Sequence, residues 1–273
     1  MNKLRGSLLR LCAIIACVTL VALFILAVYE YLNERSFDAD ASMDADATIS
    51  SLQRPSNPSS PVKIGIIGDS WVEGKGLEVS VQKLLAAKGI NAVVVPMGHA
   101  GANSRQLYRD YLSGQLLQEN DFDYLVIVAG VNDTASYIGK DFYAHHMLGI
   151  IKAAQARGVK TLYIEVPDYG IESLPFTGVP WGEVLSWGKH LLFRYLHDGG
   201  KVNVIADYRK ELSAGLAKLP EPVPVIEFDP KIWHYNLKNK LYANPLHLNT
   251  EGCDELSSLI ADALIASHKK SVP

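Results

Sequence analysis

Four short runs of aliphatic residues, apolar at successive positions, recur through the middle of the sequence. They are Val62–Ile67, Ala92–Val95, Tyr124–Ala129 and Thr161–Val166. Unbroken apolar runs are typical of strands that are buried on both faces of a parallel sheet. The longer segments between them carry apolar residues at helical spacing, as at Leu107, Tyr111 and Leu112. Strands and helices in alternation predict an α/β fold, a three-layer sandwich with a mostly parallel sheet.

The rest of the sequence extends this pattern without adding a second core. Two later apolar runs, Val202–Ala206 and Val223–Phe228, are predicted as further strands. The segment Thr250–Ser267 is predicted as a closing helix with Thr250 as its N-cap. No internal repeat is visible. We therefore predict one domain over residues 61–270, which is long enough to bury a single core.

A different kind of segment precedes this domain. The 19 residues from Leu11 to Tyr29 contain no charge, and a helix of that length spans about 28 Å, close to the hydrocarbon core of about 30 Å. A cleaved signal peptide has a shorter apolar stretch of about 7–15 residues, so an uncleaved anchor is the preferred interpretation. We predict one transmembrane helix over residues 11–29.

The residues that flank this run set the predicted orientation and localisation. Basic residues without acids precede it, and acidic residues dominate the segment that follows. The positive-inside rule then predicts a cytoplasmic tail over residues 1–10 and a domain outside the cytoplasm, in the periplasm or at the cell surface. Residues 30–60, rich in Ser, Asp, Asn and Pro towards their end, are predicted to be a flexible linker. The predicted protein is thus a single-pass membrane protein.

Charge and cysteine content limit the partners. With 26 basic and 29 acidic residues, the net charge is −3, which gives no basic field for nucleic acid. The three cysteines do not form a disulfide framework.

The pair His145-His146 points to two sides of a helix rather than to one metal, so one histidine is expected in the core and one at the surface. We expect no nucleic acid, metal or cofactor; the sequence does not indicate an oligomeric state.

Polar residues or a glycine turn follow the first three predicted strands, and polar residues precede the last helix. Ser70 comes directly after the first strand, Gly101 after the second and Asn132 after the third, while His247 lies before the closing helix with Asn244 three residues earlier. The carboxyl ends of parallel strands meet at one edge of a sheet, where such folds bind their ligands. We therefore expect these residues to lie close together.

This set contains what acyl transfer requires. A serine hydroxyl needs a neighbouring base, most often histidine, before it attacks an ester. The tetrahedral intermediate needs hydrogen-bond donors aimed at its negative oxygen. The N–H groups of Ser70 and Gly101 and the side chain of Asn132 are candidates for that oxyanion hole.

The blocks, in this order, resemble the SGNH (GDSL-type) hydrolase superfamily over about Val62–Ile265. The matching residues are Gly68-Asp69-Ser70 with Gly74, then Gly101, Gly130-Val131-Asn132-Asp133 and His247. The resemblance implies a flavodoxin-like sandwich with Ser70 as nucleophile and His247 as base. It also implies that Ser70, Gly101 and Asn132 donate to the oxyanion.

Two other motifs are excluded by their spacing. Lys75 is not followed by Ser or Thr as in a P-loop, and Val72 stands where a nucleophile elbow needs glycine.

One position departs from the family. The family usually has aspartate three residues before the histidine, where this chain has Asn244. An amide oxygen still accepts a hydrogen bond from the histidine ring, but it carries no negative charge. Ser70 and His247 are therefore predicted to form a dyad, with Asn244 or a backbone carbonyl as the orienter of His247.

The resemblance and the predicted export imply a membrane-anchored serine esterase for O-acyl esters, of the O-acetyl type, on a carbohydrate. Two alternatives stay open: a polysaccharide O-acyltransferase that uses the same residues, and a non-catalytic glycan-binding module. The stretch 168–187 has little periodicity and several aromatic residues. It is predicted as an irregular segment whose rings either stack on sugars or cap the core.

Overall fold

The computed structural model describes residues 2–34, 60–112, 122–174, 181–236 and 240–269. The chain divides into two compact units, residues 1–44 and 45–273. In the first unit, helix α1 spans Asn2–Glu34, and its side chains are described without a break from Arg10 to Leu26.

The predicted transmembrane anchor over residues 11–29 falls within α1. Over the described residues, no helix combines the length and the apolar character that a membrane crossing takes. The anchor is therefore not confirmed by the structure. Helix α1 also includes residues 30–34, the first part of the predicted linker, and residues 35–59 lie outside the described part of the chain.

A five-stranded sheet forms the centre of the second unit. Its strands are β1 (Val62–Gly68), β2 (Ala92–Gly98), β3 (Tyr124–Val128), β4 (Lys160–Ile164) and β5 (Val225–Ile226). They are all parallel and lie in the order β2-β1-β3-β4-β5, which is the flavodoxin-like order. Every residue of β3 is buried, because helices cover both faces of the sheet. The α/β prediction is confirmed.

Helices follow the strands in alternation. They are α2 (Leu77–Ala86), α3 (Ser104–Leu112), α4 (Val131–Ala135), α5 (Lys140–Gln155), α6 (Trp181–Asp198), α7 (Ile205–Leu216), α8 (Pro230–Trp233) and α9 (Thr250–Lys269). Crossover connections between parallel strands are right-handed. The chain steps across the sheet in one direction from β1 to β2, and in the opposite direction from β2 through β3 and β4 to β5. Helix α2 therefore lies on one face of the sheet, and α3, α5 and α7 lie on the other. The contacts agree: α9 packs on α2, and α5 packs between α3 and α7.

Two sequence predictions need correction in the later part of the sheet. The run Val202–Ala206 is not a strand: it leads into helix α7, which begins at Ile205. Val204 and Ile205 are buried because they pack the start of that helix into the core. The run Val223–Phe228 contains only the short strand β5.

The segment 168–187 is less irregular than predicted. A short 3₁₀ turn spans Ile171–Ser173, and α6 already begins at Trp181; residues 175–180 lie outside the described part of the chain. The Tyr169 ring is buried and its hydroxyl bonds to the Thr134 hydroxyl at 2.8 Å. Trp187, by contrast, is half exposed on α6. One ring therefore belongs to the core and the other faces outward.

The histidine pair on α5 divides as predicted. His146 is fully buried, with its Nδ1 2.8 Å from the carbonyl oxygen of Phe142, whereas His145 is exposed.

Candidate active site

Three strand ends lie at the same level of the sheet. Gly68 at the end of β1 pairs with Gly98 at the end of β2 and with Val128 at the end of β3. Ser70, Gly101 and Asn132 follow these three ends within two to four residues. The register thus places the first three sequence blocks at one edge, as expected.

The loop that carries Ser70 leaves β1 through a tightly packed glycine. A Cβ on Gly68 would lie 2.3 Å from the carbonyl oxygen of Val128, so no larger residue fits. The chain then turns at once, because the N–H groups of Val72 and Glu73 both donate to the Asp69 carbonyl at 3.0 and 3.1 Å. Ser70 lies half-buried in this turn. We call residues 69–76 the Ser70 loop.

Asp69 fixes the inner side of that loop. Its side chain is buried, and Oδ1 accepts the N–H of Trp71 at 3.0 Å. Within the described residues, Oδ2 has no hydrogen-bond partner. Burial, which disfavours the charged form, raises the pKa of Asp69 to about 7. Asp69 therefore positions the Ser70 loop rather than serving as an exposed base.

The loop after β2 packs against the Ser70 loop. A Cβ on Gly98 would lie 2.3 Å from the Glu73 nitrogen, and the Glu73 carboxylate accepts the N–H of Ala100 at 2.6 Å. Gly101 follows with φ +77°, a left-handed conformation that favours glycine. The turn that presents the Gly101 N–H thus needs glycine at two positions: Gly98 for the close approach to the Ser70 loop, and Gly101 for the left-handed backbone conformation.

The third block joins the second through side chains. The Asn132 Nδ2 donates to the Ala102 carbonyl at 3.0 Å, next to Gly101. The neighbouring Asp133 is fully buried and accepts the N–H and the hydroxyl of Ser104 at the start of α3. Burial raises the pKa of Asp133 to about 6. Asp133 is therefore a structural cap, and Asn132 is the member of this block that faces the Gly101 turn.

The candidate oxyanion donors remain available. Within the described residues, the N–H groups of Ser70 and Gly101 form no hydrogen bond. Asn132 Nδ2 uses one hydrogen on Ala102 and keeps a second, because an amide nitrogen carries two.

The loop that carries His247 is organised by Asn244; we call residues 243–249 the His247 loop. Asn244 Oδ1 accepts the N–H groups of Leu246 and His247, each at 2.9 Å, and lies 3.1 Å from the His247 Nδ1. The two backbone donors identify this atom as the oxygen, which accepts only. The ring nitrogen Nδ1 must therefore carry the hydrogen, and Nε2 keeps a lone pair. Burial lowers the pKa of His247, and the nearby Lys75 charge lowers it further, which favours the neutral ring.

One hydrogen bond connects the Ser70 and His247 loops. The indole Nε1 of Trp71 donates to the Leu246 carbonyl at 2.9 Å, so the residue after Ser70 is bonded to the residue before His247. In the described part of the chain, no hydrogen bond joins the Ser70 and His247 side chains themselves. Catalytic hydrogen bonds are often long without substrate and tighten in the complex.

Sequence reasoning missed three supporting residues. Trp71 and Glu73 tie neighbouring loops to the Ser70 loop, and no sequence signal marks either contact. The cap of α9 is Asn249 rather than Thr250, since its Oδ1 accepts the Gly252 N–H at 3.0 Å. Its position directly before the helix would have allowed that assignment.

Comparison with protein families defines the class. The chain belongs to the GDSL-like Lipase/Acylhydrolase family, which matches residues 66–254. This range contains Ser70, Gly101, Asn132 and His247. The protein is therefore a carboxylic ester hydrolase of the SGNH (GDSL) type, as the sequence blocks predicted.

Solved structures share the fold at low sequence identity. A lipase/acylhydrolase from Enterococcus faecalis is 19% identical with a TM-score of 0.53, covering 74% of this chain and 95% of its own. A carbohydrate esterase family 3 protein from Talaromyces cellulolyticus is 14% identical with a TM-score of 0.54, and the match covers 78% of this chain and 100% of that protein. An acetyl esterase mutant with an acetate ion is 14% identical with a TM-score of 0.52, and the match covers 77% of this chain and 100% of the mutant. No curated protein matches the chain.

Proposed function

We propose that this esterase hydrolyses O-acyl esters, of the O-acetyl type, on a carbohydrate, with Ser70 as nucleophile and His247 as base. The observation that carries the catalytic part is the state of His247. Its Nδ1 donates to Asn244, its Nε2 keeps the lone pair, and its loop is bonded to the residue after Ser70. A neutral histidine in this tautomer is what a serine hydroxyl requires.

The first half of the reaction forms an acyl-enzyme. His247 Nε2 takes the Ser70 hydroxyl proton while Ser70 Oγ bonds to the ester carbonyl carbon. The negative oxygen that results accepts hydrogen bonds from the N–H groups of Ser70 and Gly101 and from Asn132 Nδ2. His247 then gives the proton to the leaving alcohol as its C–O bond breaks.

The second half releases the acid. His247 takes a proton from water while the water oxygen attacks the acyl carbon. The bond from the acyl carbon to Ser70 Oγ then breaks, His247 gives its proton to Ser70 Oγ, and the carboxylic acid leaves. Asn244 holds the ring in the required tautomer throughout. Because its amide is neutral, it stabilises the imidazolium less than an aspartate does.

Two observations support the acyl and carbohydrate parts of the proposal. A carbohydrate esterase and an acetyl esterase share this fold, and the half-exposed Trp187 ring offers an apolar face to a sugar.

The test is ester hydrolysis by the full chain, purified in detergent. With p-nitrophenyl acetate and with an O-acetylated polysaccharide, wild type is expected to release acetate at least about 10³-fold faster than Ser70→Ala. Equal rates would contradict the catalytic proposal. Free acetate from the polysaccharide supports hydrolysis, while acetyl groups that appear on an added glycan acceptor would indicate transfer instead.

We also propose that residues 11–29 anchor the protein in a membrane with residues 61–270 outside the cytoplasm. The support is the uncharged run and its basic N-terminal flank. Wild type is expected to stay in the membrane fraction after alkaline extraction, and a C-terminal alkaline phosphatase fusion is expected to be active. Leu20→Lys with Ala22→Lys should release the protein, whereas Asn33→Lys, outside the run, should not. Release of wild type would contradict the anchor.

A further inference from the structure

We infer that Trp71 is a positioning residue, whose indole N–H holds His247 in reach of Ser70. This inference rests on the proposed roles of those two residues. Of the hydrogen bonds between described residues, the Trp71 Nε1–Leu246 bond of 2.9 Å is the one that directly joins the Ser70 loop to the His247 loop.

The Trp71 end of this bond is rigid. The Trp71 side chain is 2% exposed, and its backbone N–H donates to the buried Asp69 at 3.0 Å. The turn that contains it is closed by two backbone bonds to the Asp69 carbonyl. The indole therefore offers its N–H from a fixed position.

The other end is the peptide group between Leu246 and His247. Its carbonyl accepts from Trp71 Nε1 and its N–H donates to Asn244 Oδ1 at 2.9 Å. A peptide group is planar, so bonds at both of its ends fix the orientation of the plane. The His247 Cα lies in that plane, and the ring contact of 3.1 Å from Nδ1 to Asn244 Oδ1 then holds the direction of the side chain.

The remaining contacts of this loop do not replace the bond. Pro245 accepts the Gly170 N–H at 2.8 Å, and Tyr242 forms an isolated bridge with Leu248. These contacts attach the loop to the segment after β4 and to itself. Without the indole donor the loop stays folded, but its distance from Ser70 is no longer fixed.

This assignment predicts a specific kinetic change. A displacement of about 1 Å in a catalytic group costs up to about 100-fold in rate. Trp71→Phe, which removes the donor and keeps an aromatic ring, is expected to lower kcat by about 10- to 100-fold with KM changed less than about 3-fold. A purely structural role would instead lower the amount of folded enzyme and leave kcat per active site unchanged.

The matched control is Trp233→Phe. Trp233 is 3% exposed and packs on Phe228, so the change removes the same atoms from a comparable environment without touching the bond to Leu246. Active sites are counted by fluorophosphonate titration of the full chain, with p-nitrophenyl acetate as substrate. The control is expected to keep kcat within about 3-fold of wild type.

A second variant isolates the N–H group. Benzothienylalanine at position 71 replaces the indole N–H by sulfur with nearly the same shape, so it answers the question even if Trp71→Phe does not fold. A drop in kcat for this variant supports the assignment. A wild-type kcat in the benzothienylalanine variant overturns the assignment, and so does an equal drop in kcat in Trp233→Phe. Both outcomes leave the esterase proposal intact. A wild-type enzyme that is no faster than Ser70→Ala overturns the esterase proposal itself.

Discussion

The two loops that make up the candidate site are held in different ways. The Ser70 loop leaves a buried central strand through Gly68, contains the fully buried Asp69 and supports the Gly101 turn through Glu73. The His247 loop lies nearer the surface. Its organiser Asn244 is exposed, and His247 itself is half-buried.

This difference separates two tasks within one site. The nucleophile and the oxyanion donors depend on strand ends, whose positions the packed sheet fixes. The base depends on one side-chain oxygen that accepts three donors and on one indole bond to the Ser70 loop. Changes on the strand side should therefore act on transition-state charge alone, while changes on the histidine side should also alter the order of the loop.

After the loss of the Ser70 nucleophile itself, the largest effect is expected from Asn132→Ala on the strand side. The loss of one oxyanion donor costs about 10²–10³ in kcat. Among the described residues, the Asn132 side chain forms one hydrogen bond, to the Ala102 carbonyl. We expect KM and thermal stability to stay near wild type. Steady-state kinetics and thermal unfolding measure both, and a kcat within a few-fold of wild type would remove Asn132 from the oxyanion hole.

Asn244→Ala is expected to have the next largest effect and to act through the loop. The change leaves the N–H groups of Leu246 and His247 without their acceptor and frees the ring. We expect kcat to fall by about 10- to 100-fold, with faster hydrogen exchange at both amides. Unchanged exchange at these amides would show that Asn244 does not order the loop.

The fold was largely predictable because the central strands are buried on both faces and therefore read as unbroken apolar runs. The wrong predictions concern segments that are not strands buried on both faces of the sheet. Val202–Ala206 is a short apolar run, and such a run does not distinguish a strand from the buried start of a helix. Helix α6 was missed because its N-terminal part lies in an aromatic, glycine- and proline-bearing stretch without clear periodicity.

The site was predictable in position but not in its connections. Parallel strands bring Ser70, Gly101 and Asn132 to one edge whatever the side chains do there. The bond from Trp71 to Leu246 joins residues 175 positions apart, and no local pattern indicates such a distance. The tautomer of His247 likewise follows only from the two backbone donors that share the Asn244 oxygen.

Asn244→Asp tests the histidine side by adding charge without removing the acceptor. A carboxylate keeps the three hydrogen bonds and stabilises the imidazolium that forms in the reaction. We expect kcat to rise by about 2- to 10-fold, and the pKa of His247 to rise because a neighbouring negative charge favours its protonated form. Loss of activity in this variant would show that the neutral amide is required; an inert wild type that stays inert would favour the binding module.

The smallest expected effect is a shift in the pH profile when Lys75 loses its charge, because that charge of the Ser70 loop acts on the pKa of His247. His247 must be neutral to accept the serine proton, and burial together with the Lys75 charge lowers its pKa. The acid limb of kcat/KM should therefore have its midpoint below the ordinary histidine value of about 6.5. Lys75→Gln removes one of the two causes, so the limb should move to higher pH by a few tenths of a unit, and less at high salt. Lys63→Gln, an exposed charge near the start of β1, should not move it. An equal shift in both variants would mean that the net charge of the protein, and not the nearby Lys75 charge, acts on the pKa of His247.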